Sequence, residues 1–145
     1  MTNSSIAGPT GPTSTTTVAR RAAALAVLAS LVLATATYAV TRLTGADFVV
    51  SPPGRPAGPV APISVLAAAL VGSLLAVAGS ALARRTRRPR IMFTVLAVAA
   101  LAVSFASPLL AAETTTIALW LCGMHLAVAV GAVPVLVRSL PAGAR

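Results

Sequence analysis

Lysine is absent from the 145 residues, and acids are almost absent, with Asp47 and Glu113 as the only two. The chain has one cysteine, Cys122, one histidine, His125, one Trp and one Tyr. Each shortage excludes something. A single cysteine closes no disulfide within the chain. Two candidate ligands, His125 and Cys122, are too few for a closed zinc site. Two acids far apart in sequence do not suggest the paired carboxylates of glycoside chemistry. No nucleophile elbow and no Gly-rich phosphate loop is present. Charged residues of both signs make up 9% of the chain, where a soluble domain carries roughly 25%. That is too little charge to clothe a water-facing surface, so a soluble globular fold is excluded.

What is present is apolar: 57% of the residues are hydrophobic, and the mean hydropathy is +0.93. Disorder over most of the length is excluded by the same fraction. A bilayer core about 30 Å thick takes roughly 20 apolar residues per helix. Four uncharged windows of that size occur, at 22–41, 63–83, 91–110 and 117–137. Lipid offers no partner to a bare N–H or C=O, so each window is expected to be helical. Barrel strands alternate and run only about 10 residues, which these windows do not. The expected fold is therefore an all-α membrane protein, an up-down-up-down bundle of four transmembrane helices. The first window holds 7 Leu, Ile, Val or Phe against 9, 10 and 10 in the others. It is the weakest inserter and is expected to rely on its neighbours. A signal peptide is the rival reading of this window, but its apolar stretch exceeds the usual 7–15 residues of a signal core.

The net charge of +9 comes from 11 Arg. Arg20 and Arg21 precede the first window, Arg84, Arg85, Arg87, Arg88 and Arg90 fill the gap between the second and third, and Arg138 and Arg145 follow the fourth. Only Arg42 and Arg55 fall on the other side, together with both acids. The positive-inside rule then places the N-tail, the 84–90 loop and the C-tail in the cytoplasm of a cell-membrane protein. Tyr38 and Trp120 lie near the opposite ends of their windows, where amphipathic rings prefer to sit. The five Arg of the 84–90 loop are expected on anionic headgroups, each contributing about 1 kcal/mol. No aromatic residue is interleaved with them, so no base-stacking platform exists and no nucleic-acid partner is expected.

Composition divides the rest. Residues 1–19 are rich in Ser, Thr, Pro and Gly and are expected to be a disordered cytoplasmic tail. Residues 20–140 form the four-helix domain, and 141–145 a short cytoplasmic tail. The first external loop holds Asp47 and the apolar Phe48-Val49-Val50, then five Pro in the twelve residues 51–62. It is expected to be an extended spacer, or a lid outside the membrane. Glu113 and Thr114–Thr116 sit where a helix N-terminus can be capped.

Small residues recur at four-residue spacing at Ala68, Gly72, Ala76 and Ser80, and again at Gly123, Ala127 and Gly131. Such rows let helix backbones approach closely, inside one bundle or between two copies in a homo-oligomer. Pro134 removes a helix hydrogen bond and is expected to bend the end of the fourth span. His125 is the only ionisable group well inside a window, and such groups are functional candidates by default. On a helical wheel it shares its face with Ala118, Leu121, Cys122, Ala129 and Ala132, while Leu119, Leu126, Val130, Val133 and Val137 form the lipid face. His125 is thus expected to face the interior and to hydrogen-bond Thr35, Ser73 or Ser104 of a neighbouring span. The candidate functional polar residues are His125, Glu113 and Asp47.

The Arg-Arg after a Thr-rich tail, Gly45-Ala46-Asp47 after the first span, the Thr114–Thr116 turn and Met124-His125-Leu126 form a recognisable pattern. Over about residues 18–140 the chain resembles a family of small actinobacterial four-span membrane proteins catalogued as a domain of unknown function. The resemblance implies a multi-pass membrane protein and supplies no activity, cofactor or catalytic residue. The leading expectation is a non-enzymatic packing or interaction protein without a cofactor. The alternatives are a small transport or proton-relay unit centred on His125, and a metal- or haem-binding redox protein. Four-span multidrug exporters depend on an acid in the first span, and the window 22–41 has none.

The charge asymmetry makes a direct prediction. A reporter that matures only in the cytoplasm will be active when fused to either terminus and silent when inserted between residues 43 and 61. Activity in the loop with silence at the termini would reverse the orientation.

Overall fold

The computed structural model describes residues 13–45, 49–51, 54 and 56–142. The elements are α1 (Thr13–Leu43), β1 (Val49–Val50), β2 (Gly58–Pro59), α2 (Pro62–Ala83), α3 (Pro89–Ser104), α4 (Ala106–Ala111) and α5 (Thr115–Ser139). Four helical segments are long and apolar enough to cross a membrane: Thr16–Leu43, Pro62–Ala83, Pro89–Ala111 and Thr115–Ser139. They form the antiparallel four-helix bundle expected from the windows. Pro62 and Pro89 open α2 and α3 in the first helical turn, where the missing N–H has no intrahelical partner to lose. Thr114 caps α5, its side chain accepting from the Ile117 N–H at 3.3 Å.

Two boundaries differ from the expectation. The tail expected over 1–19 is helical from Thr13, and residues 1–12 lie outside the described residues. Once packing fixes the body of α1, each further residue adds a hydrogen bond for little extra cost. The third span is interrupted at Phe105, between α3 and α4. Pro108 is the cause, because it has no N–H to give to the Ser104 carbonyl four residues earlier. Pro134 lies within α5, which stays continuous to Ser139.

The two ends of the bundle are closed differently. At one end the loop 84–88 reaches the last turn of α5. Arg84 Nη2 donates to Ser139 Oγ at 3.1 Å and to the Ser139 carbonyl at 3.3 Å, and Arg90 Nε donates to the Leu140 carbonyl at 3.0 Å. Guanidinium groups suit the negative, carbonyl-bearing end of a helix. At the other end the first loop is more than a spacer. Val49 and Val50 pair antiparallel with Pro59 and Gly58. Val50 also bridges to Ala112, and the Ser51 N–H donates to the Ala111 carbonyl at 2.9 Å. Tyr38 Oη donates to the Val60 carbonyl at 3.1 Å. The hairpin is thereby tied to α1 and to the α4–α5 turn.

The tightest contact joins α1 to α5. Ala22, Ala26, Ser30 and Ala34 follow one another at four-residue spacing on α1, and all four are buried. Opposite them is Gly131, where a Cβ would stand 2.7 Å from the Ser30 nitrogen and 2.9 Å from the Ala29 carbonyl carbon. Ser30 Oγ donates to the Val128 carbonyl at 3.0 Å, across the same contact. Near the Arg-bearing end, Phe93, Leu136 and Leu140 are fully buried with Ala26 and Ala132. Leu119, Leu126 and Val130 of α5 are exposed, as expected of a lipid face. Val133 and Val137 are half-buried and pack against this second cluster instead.

Two glycines of α5 should therefore behave oppositely. Gly131→Ala forces backbone apart and costs about 1–3 kcal/mol of stability. Gly123→Ala meets nothing within 4 Å, and removing the chain entropy of glycine should stabilise by about 0.5–1 kcal/mol. Thermal melts of the two variants in detergent check the contrast. Equal melting temperatures would show that α1 and α5 do not touch at Gly131.

Candidate functional site

The main feature of the bundle is a cavity of about 510 Å³ between α2, α3 and α5. Its α2 wall runs from Ser64 to Leu82 and includes Ala68, Gly72, Ala76 and Gly79. The row of small residues read from the sequence of α2 thus faces mainly this space. At Gly72 a Cβ would stand 3.4 Å from Val128 Cγ1 of α5, and at Gly79 it would stand 3.8 Å from the Phe93 ring of α3. The α3 wall includes Phe93, Ala97 and Ser104, and Val60 of the first loop lies among the lining residues with Ser64. The cavity exists because α2 presents little side-chain volume toward α3, and neither helix packs as closely on the other as α1 does on α5.

His125 is in the α5 wall. It faces the interior, as its wheel position requires, with Ala118 and Ala132 buried on the same face. Its hydrogen bond differs from the expected one. Nδ1 lies 2.8 Å from the Leu121 carbonyl of its own helix. A carbonyl only accepts, so Nδ1 carries the proton in the neutral ring, and Nε2 carries the lone pair. The expected partners are engaged elsewhere or turned away. Ser73 Oγ donates to Leu70, Ser104 Oγ donates to Leu101, and Thr35 is exposed. A hydroxyl in an apolar helix meets its need most easily on the carbonyl three or four residues back. That is why these serines do not reach across to His125.

Among the described residues Nε2 has no protein partner. Every deeply buried side-chain N or O among the described residues has one, so Nε2 is not enclosed by protein, and its ring lines the cavity. The site therefore places a hydrogen-bond acceptor in a largely apolar trench, with the Ser64 and Ser104 hydroxyls as its other polar side chains. Cys122 is half-buried one turn from His125. Among the described residues no three His, Cys, Asp or Glu come together as metal ligands would.

The other two candidate polar residues do not join this site. Glu113 is at the hairpin end, exposed, where Ser51 Oγ donates to its Oε1 at 2.8 Å. It ties the first loop to the α4–α5 turn, and Thr114 supplies the cap expected there. Asp47 lies outside the described residues. Of the five Arg of the 84–90 loop, Arg84 and Arg90 hold the end of α5, while Arg85, Arg87 and Arg88 are exposed. Ser51 and the Ala22–Ala34 row were not singled out from sequence. The row's four-residue spacing was visible, but the surrounding alanines hid it.

The fold defines a bundle of four membrane-length helices with a largely apolar cavity between α2, α3 and α5. Residues 14–142 match DUF6069, a family of unknown function, and the chain belongs to that family. No curated protein and no solved structure matches it.

The tautomer is open to measurement. In protein labelled with ¹⁵N-histidine at neutral pH, Nδ1 will show the bonded proton and Nε2 the shift of a bare lone pair. A bare Nδ1 with the proton on Nε2 would contradict the bond to Leu121.

Proposed function

We propose that the chain is a non-enzymatic, multi-pass protein of the cell membrane that binds a lipophilic molecule between α2, α3 and α5. The observation that carries this reading is the cavity. About 510 Å³ is within the 300–1,000 Å³ range of ligand sites, which are mostly apolar with a few placed polar groups. Both termini are cytoplasmic on the Arg asymmetry, and the exposed Arg85, Arg87 and Arg88 rest on anionic headgroups.

The binding reading gains support from how the small residues are used. Gly131 is engaged by α1 within the same chain, which leaves less of the α5 row for a second copy. Gly123 keeps open space and is the remaining place for self-association. A proton relay needs a series of titratable groups, and the four windows contain no Asp, Glu, Lys or Arg.

Filling the cavity tests the reading. Ala97 lines it, and Ala99 is exposed on the same helix and does not. Native mass spectrometry of protein released from membranes is expected to show one bound neutral lipophile on the wild type and on Ala99→Phe. Ala97→Phe will reduce that species at least about fivefold, since a benzyl group occupies the space. A wild type without any bound lipophile, or an Ala97→Phe variant that carries it equally well, would refute the proposal.

A further inference from the structure

Resting on the binding reading above, the geometry points to the class of ligand: a long, neutral lipophile whose hydroxyl group donates a hydrogen bond to His125 Nε2. Three observations converge on it. First, the α2 wall extends from Ser64 to Leu82, about 27 Å at 1.5 Å per residue. The space is a trench along the helices, so its occupant is elongated.

Second, polarity along the trench is sparse: the Ser64 and Ser104 hydroxyls and the His125 ring. Ser64 is at the hairpin end, and the Ser104 hydroxyl hydrogen is already given to Leu101. His125 supplies a lone pair, because its only proton is held by the Leu121 carbonyl at 2.8 Å. An acceptor in an apolar wall selects a donor and rejects a carbonyl or ether, which would leave two lone pairs facing each other. A site that hydrogen-bonds a hydroxyl discriminates well against the analogue without it, because its own polar group is then left unpaired.

Third, depth excludes the ordinary lipids. His125 is ten residues from the start of α5 at Thr115, about 15 Å along the helix. That is the middle of a hydrocarbon core about 30 Å thick. Glycerolipids hold their polar groups at the interface and present only methylenes at this depth. The hydroxyl must belong to a molecule dissolved in the bilayer interior, an alcohol or phenol with a hydrocarbon tail. Such a molecule enters sideways, between α2 and α3, without crossing water.

The test uses the full chain in lipid nanodiscs with two probes of nearly equal shape, 4-octylphenol and its methyl ether 4-octylanisole. Affinities are corrected for partition into empty nanodiscs. The phenol is expected to bind about tenfold more tightly, the factor that one hydrogen bond of ordinary net strength supplies. The ¹⁵N resonance of Nε2 will shift on adding the phenol and stay in place with the ether. In His125→Phe the two affinities become equal while that of the ether is kept. The Nε2 measurement needs no variant, so the inference remains open to refutation if His125→Phe does not fold. Equal affinities in the wild type, with Nε2 unmoved by either probe, would overturn the role of His125 and leave the cavity as a site for plain hydrocarbon. Failure of both probes to bind would overturn the binding reading itself.

Discussion

Close approach of two helix backbones at Gly131 is the contact on which the rest of this bundle depends. In lipid, helices gain nothing by hiding apolar side chains from one another, so association must come from packing and from hydrogen bonds between helices. Both are present between α1 and α5. The missing side chain at Gly131 admits the Ala29–Ser30 backbone, and Ser30 Oγ reaches the Val128 carbonyl at 3.0 Å. The span with the fewest strongly apolar residues is thus the one held most tightly by its neighbour.

Anchoring α5 on α1 decides where the loose side of the bundle lies. With one flank of α5 covered, its opposite face, carrying His125, turns toward α2 and α3. There the small residues of α2 meet no close backbone, and the third span is broken at Phe105 ahead of Pro108. The ends supply the remaining restraint. Arg84 and Arg90 hold the last turn of α5 at one end, and the hairpin tied through Tyr38, Ser51 and Glu113 holds the other. The helices that line the site are therefore fixed at both ends, and the proposed ligand would reach it through the bilayer.

Much of this was legible in the amino-acid order, for reasons that can be stated. The spans follow from spacing between charges, which is a one-dimensional property, and their ends agree closely at Pro62–Ala83. The inward direction of His125 followed from helical angle alone. Its partner did not. A side chain that can satisfy itself on its own helix leaves no trace in sequence, and only coordinates distinguish Leu121 from Ser73 or Ser104. The small-residue rows were ambiguous for a related reason. Spacing reveals which residues share a face but not whether that face meets a helix, as at Ala22–Ala34, or borders a cavity, as at Ala68–Ala76. The break at Phe105 depended on Pro108 being just far enough from the end of its span for the helix to resume. The hairpin was hidden because prolines read as extended chain, and pairing with distant residues such as Ala112 is not a local signal.

The most direct test of the account is a distance, read in a bilayer and without mutation. Solid-state NMR of glycine-, alanine- and serine-labelled protein is predicted to give cross-peaks linking Gly131 with Ala29 and Ser30, and to keep them when labelled chains are diluted into unlabelled ones. Loss of those cross-peaks on dilution would place the contact between copies, and their absence altogether would mean that α5 is not seated on α1. Either result would remove the support on which the trench and its histidine rest.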